Sequence, residues 1–374
     1  MPGSVTLRRA VRSAALLVLV LVPTVGCAGV SGPGSPDGPA TPEVTRVSSD
    51  GETDPGPHEG DSIDEPSLWV DRSDPSRSLV IVNDKAGAFL TYDLRGRLVQ
   101  RIGSGSDFWG NSDVRQGVRV GGFRGDLVAV QHGGLRFYSV DPRTRQLSPL
   151  TPRGTAVGAP GEGLCLYRDR SRHSLSVYSL TRPGVMTQYA VTDPDGDGLL
   201  QVSPVRTVDV GSEAEGCVAD DRTGALYVSE EDVALWRYGA RAGAGDDRTA
   251  VDVMTTEGGH LVSDIEGLAL VTLPGGRGYL VASAQNVAHP DASYFAVYRR
   301  SDLSFVEAVR VTAGTSSDDC DRTDGIAAVA AHLGPRFPRG VFVCQDNTND
   351  EPGGRGNEDV KLVRLERLLD LGSG

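Results

Sequence analysis

Short apolar runs recur along the chain, each following an acidic residue. They stand at Asp64-Glu65-Pro66-Ser67-Leu68-Trp69, Asp113-Val114-Arg115, Glu162-Gly163-Leu164, Glu215-Gly216-Cys217, Glu266-Gly267-Leu268 and Asp324-Gly325-Ile326, at steps of 49, 49, 53, 51 and 58 residues. Half a repeat later a second run ends on a polar residue: Leu79 to Asp84, Leu127 to His132, Leu226 to Glu231, Tyr279 to Asn286 and Val341 to Asp346. A third run, with alternating apolar positions and a tyrosine, follows at Ala88 to Asp93, Leu135 to Val140, Val233 to Tyr238 and Tyr294 to Tyr298. Their length, β-branched content and flanking turns predict strands. Six units of about fifty residues, each with three or four strands, predict an all-β, six-bladed β-propeller. A parallel α/β fold would need amphipathic helices between the strands, and only Val360 to Leu369 could supply one. A solenoid would have a shorter repeat.

Composition agrees with this reading. The 374 residues include 48 Gly and 22 Pro, with 6% aromatic residues, so turns interrupt the chain often. The net charge of −13 argues against nucleic acid as a partner and against unaided binding to anionic lipid. An anionic partner would need intervening metal ions.

The first residues read as a targeting signal. Arg8, Arg9 and Arg12 precede an apolar stretch, Ala14 to Val22, too short to span a bilayer. It ends at Thr24-Val25-Gly26-Cys27, similar to the lipobox of bacterial lipoproteins, in which the Cys is lipidated. Residues 1–27 are therefore expected to be a lipoprotein-type signal, 28–60 a disordered Pro/Gly/Ser-rich tether, and 61–370 the propeller. The expected setting is extracytoplasmic, lipid-anchored at Cys27 or secreted, and the expected state is a monomer. Four further cysteines in an oxidising compartment favour two disulfides, with three pairings possible. Cys165 with Cys217 and Cys320 with Cys344 is preferred, because the repeat puts each pair near the same end of neighbouring blades.

Equivalent positions of all blades converge on the central channel of a propeller, so the recurring acids should meet. Asp64, Glu65, Asp113, Glu162, Glu215, Glu266 and Asp324 are expected at one mouth, with Glu231, Asp264 and Asp346 beside them. So many carboxylates cannot share a confined space fully ionised. Bound cations relieve the repulsion, and a ligand set of oxygens alone suits calcium. The six His residues show no metal or nucleophile spacing. Asp193-Pro194-Asp195-Gly196-Asp197-Gly198 resembles the start of a calcium loop but has Pro204 where the bidentate Glu belongs, and reads as an acidic turn.

From about Asp61 to Leu368 the chain resembles the β-propeller phytases, calcium-dependent enzymes that hydrolyse inositol hexakisphosphate. The resemblance rests on Glu215-Gly216-Cys217-Val218-Ala219-Asp220-Asp221 with Gly224, Leu226-Tyr227, Glu230-Glu231 and Trp236. Asp264-Ile265-Glu266-Gly267-Leu268, Thr323-Asp324-Gly325-Ile326 and Gln345-Asp346 carry it further. It implies calcium ligands, or their close neighbours, at Asp64, Glu65, Glu215, Glu231, Asp264, Glu266, Asp318, Asp324 and Asp346. Glu215, Glu231 and Glu266 would be catalytic, and Lys85 and Arg182 would contact phosphate. The chain departs from the pattern at Ala86, at Gln131-His132 and at Glu162, which stand where the family has Lys, Arg and Tyr. The implied activity is calcium-dependent phosphomonoester hydrolysis of phytate or a related polyphosphate. A calcium-dependent lactonase or arylesterase propeller, and a non-catalytic ligand-binding propeller, are the alternatives.

Overall fold

The computed structural model describes residues 42–152, 155–286, 289, 292–349 and 356–372. Six antiparallel sheets follow one another along the chain as the blades of a β-propeller. Blade 1 comprises β3 (Ile63–Trp69), β4 (Leu79–Asp84), β5 (Ala88–Asp93) and β6 (Leu98–Ile102). Blade 2 comprises β7 (Ser112–Val120), β8 (Phe123–Gln131), β9 (Leu135–Asp141) and β10 (Gln146–Pro149). Blade 3 runs from β11 (Leu164–Asp169) to β14 (Gln201–Asp209), and blade 4 from β15 (Cys217–Asp220) through β16 (Ala225–Glu230) to β18 (Arg248–Val253). Blade 5 runs from β19 (Ile265–Thr272) to β22 (Phe305–Thr312). Blade 6 draws only β23 (Ile326–Val329), β24 (Val341–Asp346) and β25 (Asp359–Arg364) from its own stretch of chain.

The missing fourth strand comes from the other end of the chain. β2 (Gly51–Glu52) pairs antiparallel with β25, and β1 (Val44–Ser48) adds a fifth, parallel strand to blade 5 through β22. The tether expected over 28–60 is thus corrected in part: Val44–Ser48 and Gly51–Glu52 are strands, and Cys27 with residues up to 41 lies outside the described residues. Val44 and Val47 are the reason, since they pack against the apolar layers on either side of blade 5. Two valines amid Pro, Gly and charged residues are too sparse to register in composition, yet they suffice for an edge strand that borrows an existing sheet.

Between blades the sheets pack face to face through apolar layers, such as Val80, Val82, Leu90 and Tyr92 of blade 1 against Val341, Val343 and Leu362 of blade 6. Disulfides join Cys165 to Cys217, between blades 3 and 4, and Cys320, in the connection from blade 5 to blade 6, to Cys344 of β24. Polar residues of the second strands add bonds near the axis. Asn83 Nδ2 donates to the Trp109 carbonyl at 2.9 Å, Gln131 Nε2 to Ser179 Oγ at 2.6 Å, and Ser229 Oγ to the Glu266 carbonyl at 3.0 Å.

The glycine after each acid has a steric cause. A Cβ on Gly163 would lie less than 3.0 Å from the Glu215 carbonyl, one on Gly216 as close to the Glu266 carbonyl, and one on Gly267 as close to the Asp324 carbonyl. Gly325 meets the Asp64 carbonyl, and Gly110 the Glu162 carbonyl, in the same way. Each acid of one blade therefore seats its backbone in the space that the preceding blade leaves free by having no side chain. In blade 1, Glu65 takes the glycine's place.

Filling this space should cost stability. Gly216→Ala is expected to destabilise the protein by about 1–3 kcal/mol in urea unfolding, whereas Gly105→Ala, whose Cβ would have no neighbour nearer than 4.0 Å, should be close to neutral. Equal midpoints for Gly216→Ala and wild type would contradict the close approach.

Candidate functional site

Three carboxylates converge at the channel mouth. One oxygen each from Glu215, Glu231 and Glu266 lie within 4.8 Å of one another. Glu215 lies one glycine before β15, and Glu266 sits in β19 where the register against β20 (Gly278–Ala284) shifts between Ile265 and Leu268. That bulge re-aims the side chain. Glu231 follows β16, its N–H donating to the Glu213 carbonyl and its own carbonyl accepting from Ile265 N–H, both at 3.0 Å. The trio is thus fixed by backbone bonds between blades 4 and 5.

The electrostatic consequence is large. Burial, then Asp64 and Glu162, pushes the Glu215 carboxyl well above its ordinary range. Burial followed by Glu215 and Asp324 does the same to Glu266, and burial followed by Glu213 and Asp264 brings Glu231 to about 7. Asp324, raised by burial against the opposing charge of Lys85, also stands at about 7. Glu65 is raised well above its usual value by burial and by Asp64; its Oε2 lies in the channel where Cβ atoms on Gly267 and Gly325 would be.

Lys85 stands on the blade 1 side. Its Nζ is 2.6 Å from Asp61 Oδ1, 3.2 Å from Asp324 Oδ2 and 3.9 Å from Asp64 Oδ1. Burial opposes its charge, but these carboxylates outweigh burial and hold the ammonium ionised. Gln285 Nε2 donates to Asp324 Oδ1 and, at 3.1 Å, to the Arg322 carbonyl, while Asn83 Nδ2 holds Asp64 Oδ2 at 3.0 Å. A cleft of about 390 Å³ is lined by Asp61, Asp64, Lys85, Arg182, Glu215, Asp264, Glu266, Gln285, Arg322, Asp324 and Asn347. Asp264 has a left-handed backbone, φ 56°, and so do Asn286 and Arg322 at the same mouth. Strain in non-glycine residues of this kind gathers at functional sites.

Other expected members lie elsewhere. Asp113 does not join the mouth. It pairs regularly with Ala129 inside β7, and its carboxylate is taken by Arg115 at 2.8 and 2.9 Å and by the Leu166 N–H at 2.8 Å. The ring place of blade 2 belongs instead to Trp109, before Gly110, stacked between Phe89 and His132 at centroid distances of 5.6 and 3.8 Å. Glu162 borders the trio but accepts from Arg182 Nε at 2.9 Å. Asp318 and Asp346 both lie against the buried ammonium of Lys361. Asp346 Oδ2 is 3.1 Å from Nζ, with Asp359 and Glu52 at 2.8 and 3.0 Å completing that cage. The acidic loop at Asp193 spends its carboxylate on the N–H groups of Gly122, Gly196 and Gly198 at 2.7–3.0 Å, as a turn does.

The sequence assigns no site role to Asp61, Gln285, Arg322 or Lys361. Asp61, at the start of the family-like stretch, and Gln285, within a family-like segment of blade 5, could have been found as polar residues at a predicted mouth. Lys361 could not, since nothing in its stretch of chain announces burial.

The phytase family model matches residues 11–372. A 3-phytase of Bacillus subtilis (strain 168) is 32% identical over 332 residues, covering 86% of this chain and 84% of the relative. Among solved structures, BBS1N in complex with ARL6DN, soaked with lead or with mercury, aligns with TM-scores of 0.43 and 0.45 at 12% and 11% identity. Those alignments cover 79% and 80% of this chain and 77% and 78% of the other, too distant a likeness to carry a functional conclusion. The family match and the relative agree with the strand repeat and the acidic mouth: the chain belongs to the phytase family and is a phytase-like phosphoric ester hydrolase.

Proposed function

We propose that the mouth hydrolyses phytate or a related polyphosphorylated ester with calcium held by Glu215, Glu231 and Glu266, and with Asp64, Asp264 and Asp324 as further ligands or their neighbours. The observation that carries this reading is the trio's geometry: three carboxylate oxygens within 4.8 Å, in partly buried side chains of which Glu215 and Glu266 are raised well above their ordinary range. Oxygen-only donors in an irregular arrangement fit a hard ion that tolerates variable coordination. Calcium, when bound, supplies charge neutralisation for phosphoryl oxygens and makes water more acidic. It also reconciles a protein of net charge −13 with a polyanionic substrate.

The chain's own residues do the rest. Lys85, fixed among three carboxylates, presents a point charge at one wall, and Arg182, 66% exposed at its side chain, a guanidinium at the other. Without an ion, burial followed by Glu213 and Asp264 raises Glu231 to about 7, so an ion held there would displace a proton from it. Gln285 and Asn83 hold Asp324 and Asp64 in place by amide donors, which leaves the other oxygen of Asp64 toward Lys85.

We further propose an extracytoplasmic setting with the chain anchored by lipid at Cys27. The signal-like residues before it and the two disulfides support this reading. Cys27→Ser should move the protein from the membrane fraction to the medium, and an unlipidated mature N-terminus beyond Cys27 in the native protein would exclude the anchor.

Phosphate release from phytate should require calcium and stop in chelator. Glu231→Gln, which keeps the shape but loses the charge, should lower kcat at least about a hundredfold with an unchanged circular dichroism spectrum. Turnover by that variant at the wild-type rate, or full activity in chelator, would refute the proposed site.

A further inference from the structure

Charge in this molecule is divided by face. The carboxylates of the mouth stand where first strands begin and second strands end, as Glu215 before β15 and Glu231 after β16 do. The turns from first to second and from third to fourth strand therefore lie at the opposite end of the channel. Arginine recurs in them. Arg77 lies between β3 and β4, Arg95 between β5 and β6, Arg143 between β9 and β10, Arg277 between β19 and β20, and Arg336 and Arg339 between β23 and β24.

These turns touch one another around the rim. Arg77 Nη2 donates to the Arg143 carbonyl at 2.8 Å, and Arg336 Nη1 to the Leu94 carbonyl, beside Arg95, at 3.1 Å. A Cβ on Gly334 would lie 2.9 Å from Ser76, next to Arg77, and one on Gly372 2.9 Å from Arg277 Nη1, while Arg339 Nη2 donates to the Gly372 carbonyl. An unbroken arc thus crosses blades 2, 1, 6 and 5. The Arg143 side chain is 91% exposed, and Arg95, Arg277 and Arg339 are exposed too. Arg77 and Arg143 face Asp71 and Asp141 at 3.8 and 3.6 Å, whereas among the described residues Arg95, Arg277, Arg336 and Arg339 pair with no carboxylate. Asp74, Asp302 and Asp370 are the exposed acids at this end of those blades, too few to cancel the arc. Two large apolar side chains left in water, Leu98 and Val306, stand at the same end, where β6 and β22 begin.

We propose that this face docks on an anionic phospholipid surface, with the acidic mouth turned away from it. The arc is spread over four blades, so a small anion meets only one or two of its charges, whereas a layer of phosphate headgroups meets them together. Each arginine within a Debye length of such a layer, about 8 Å, adds to the attraction. The net charge of −13 opposes lipid binding for the chain taken as a whole, but its densest acids stand at the other end of the channel. The path of the chain agrees. β22, a fourth strand, runs toward the mouth, and β1 is parallel to it, so the chain enters β1 from the arginine side. A lipid at Cys27, as proposed above, would hold this face against the membrane, yet the docking itself depends neither on that anchor nor on hydrolysis.

The test is flotation of the Cys27→Ser protein with vesicles of phosphatidylcholine alone and of phosphatidylcholine with phosphatidylglycerol in equal parts, in calcium and in chelator. Binding should be confined to the anionic vesicles, persist in chelator and vanish at about 0.5 M NaCl. Arg95→Ala, Arg277→Ala and Arg339→Ala should each weaken it about fivefold, and together about a hundredfold, with unchanged circular dichroism spectra. Arg101→Ala, at the mouth end of the outer strand of blade 1, should leave it as it was. Equal binding to neutral vesicles, full binding by the triple variant, or an equal loss in Arg101→Ala would overturn the proposal. So would binding that requires calcium, because it would put the mouth against the lipid. An unlipidated native N-terminus would remove the anchor alone, and salt-sensitive binding of the Cys27→Ser protein would then still support the arginine face.

Discussion

An excess of negative charge in a space that the fold will not enlarge is the constraint on which the rest depends. Glu215, Glu231 and Glu266 meet at one point of the mouth, and Asp64, Glu65 and Asp324 stand behind them. Within that group the committed cation is Lys85, and its single charge is shared among Asp61, Asp64 and Asp324. Raised carboxyl pKa values are the molecule's own way of discharging the imbalance. A bound divalent cation, as proposed above, would be the other.

The backbone cannot relax because the inner strands already touch. Acid carbonyls fill the places of absent Cβ atoms on Gly163, Gly216, Gly267 and Gly325, so moving one carboxylate outward means moving a blade. Closure of the ring resists this as well. The strand at Gly51–Glu52 completes blade 6, and its Glu52 reaches Lys361 on the neighbouring strand, joining the two ends of the fold through a buried ion cluster. Burial pushes Asp346 up to about 8 and Asp359 to about 7 in that cluster, against the pull of Lys361. The two acidic clusters thus differ in kind: one encloses its cation within the chain, and the other faces the cleft.

Much of this was legible in the sequence, for physical reasons. The acid-glycine-apolar repeat is a direct imprint of close approach at the axis, so it gave the blade count, and acids it marks at blades 1, 4, 5 and 6 line the cleft, with Glu162 of blade 3 bordering Glu215. Blade 2 broke the pattern because Trp109-Gly110 holds the ring place while Asp113, a few residues on, mimics it. The outermost strands, such as Leu98–Ile102 and Arg248–Val253, went unread because partial exposure erases their alternation. The closing strands at 44–52 were hidden by their polar setting. The cage around Lys361 was not legible, since its members come from four separate stretches of chain and no local spacing links Glu52 to Asp318.

In the proposed function, carboxyl groups at the mouth hold protons until a cation displaces them. Calcium titration of the protein at pH 7, followed by calorimetry in two buffers of different ionisation enthalpy, measures the protons released per ion bound. With Glu231 and Asp324 titrating at about 7, binding should release a substantial fraction of a proton from each, and the release should fall in Glu231→Gln. Calcium binding with no proton release, or no calcium binding at all, would contradict it.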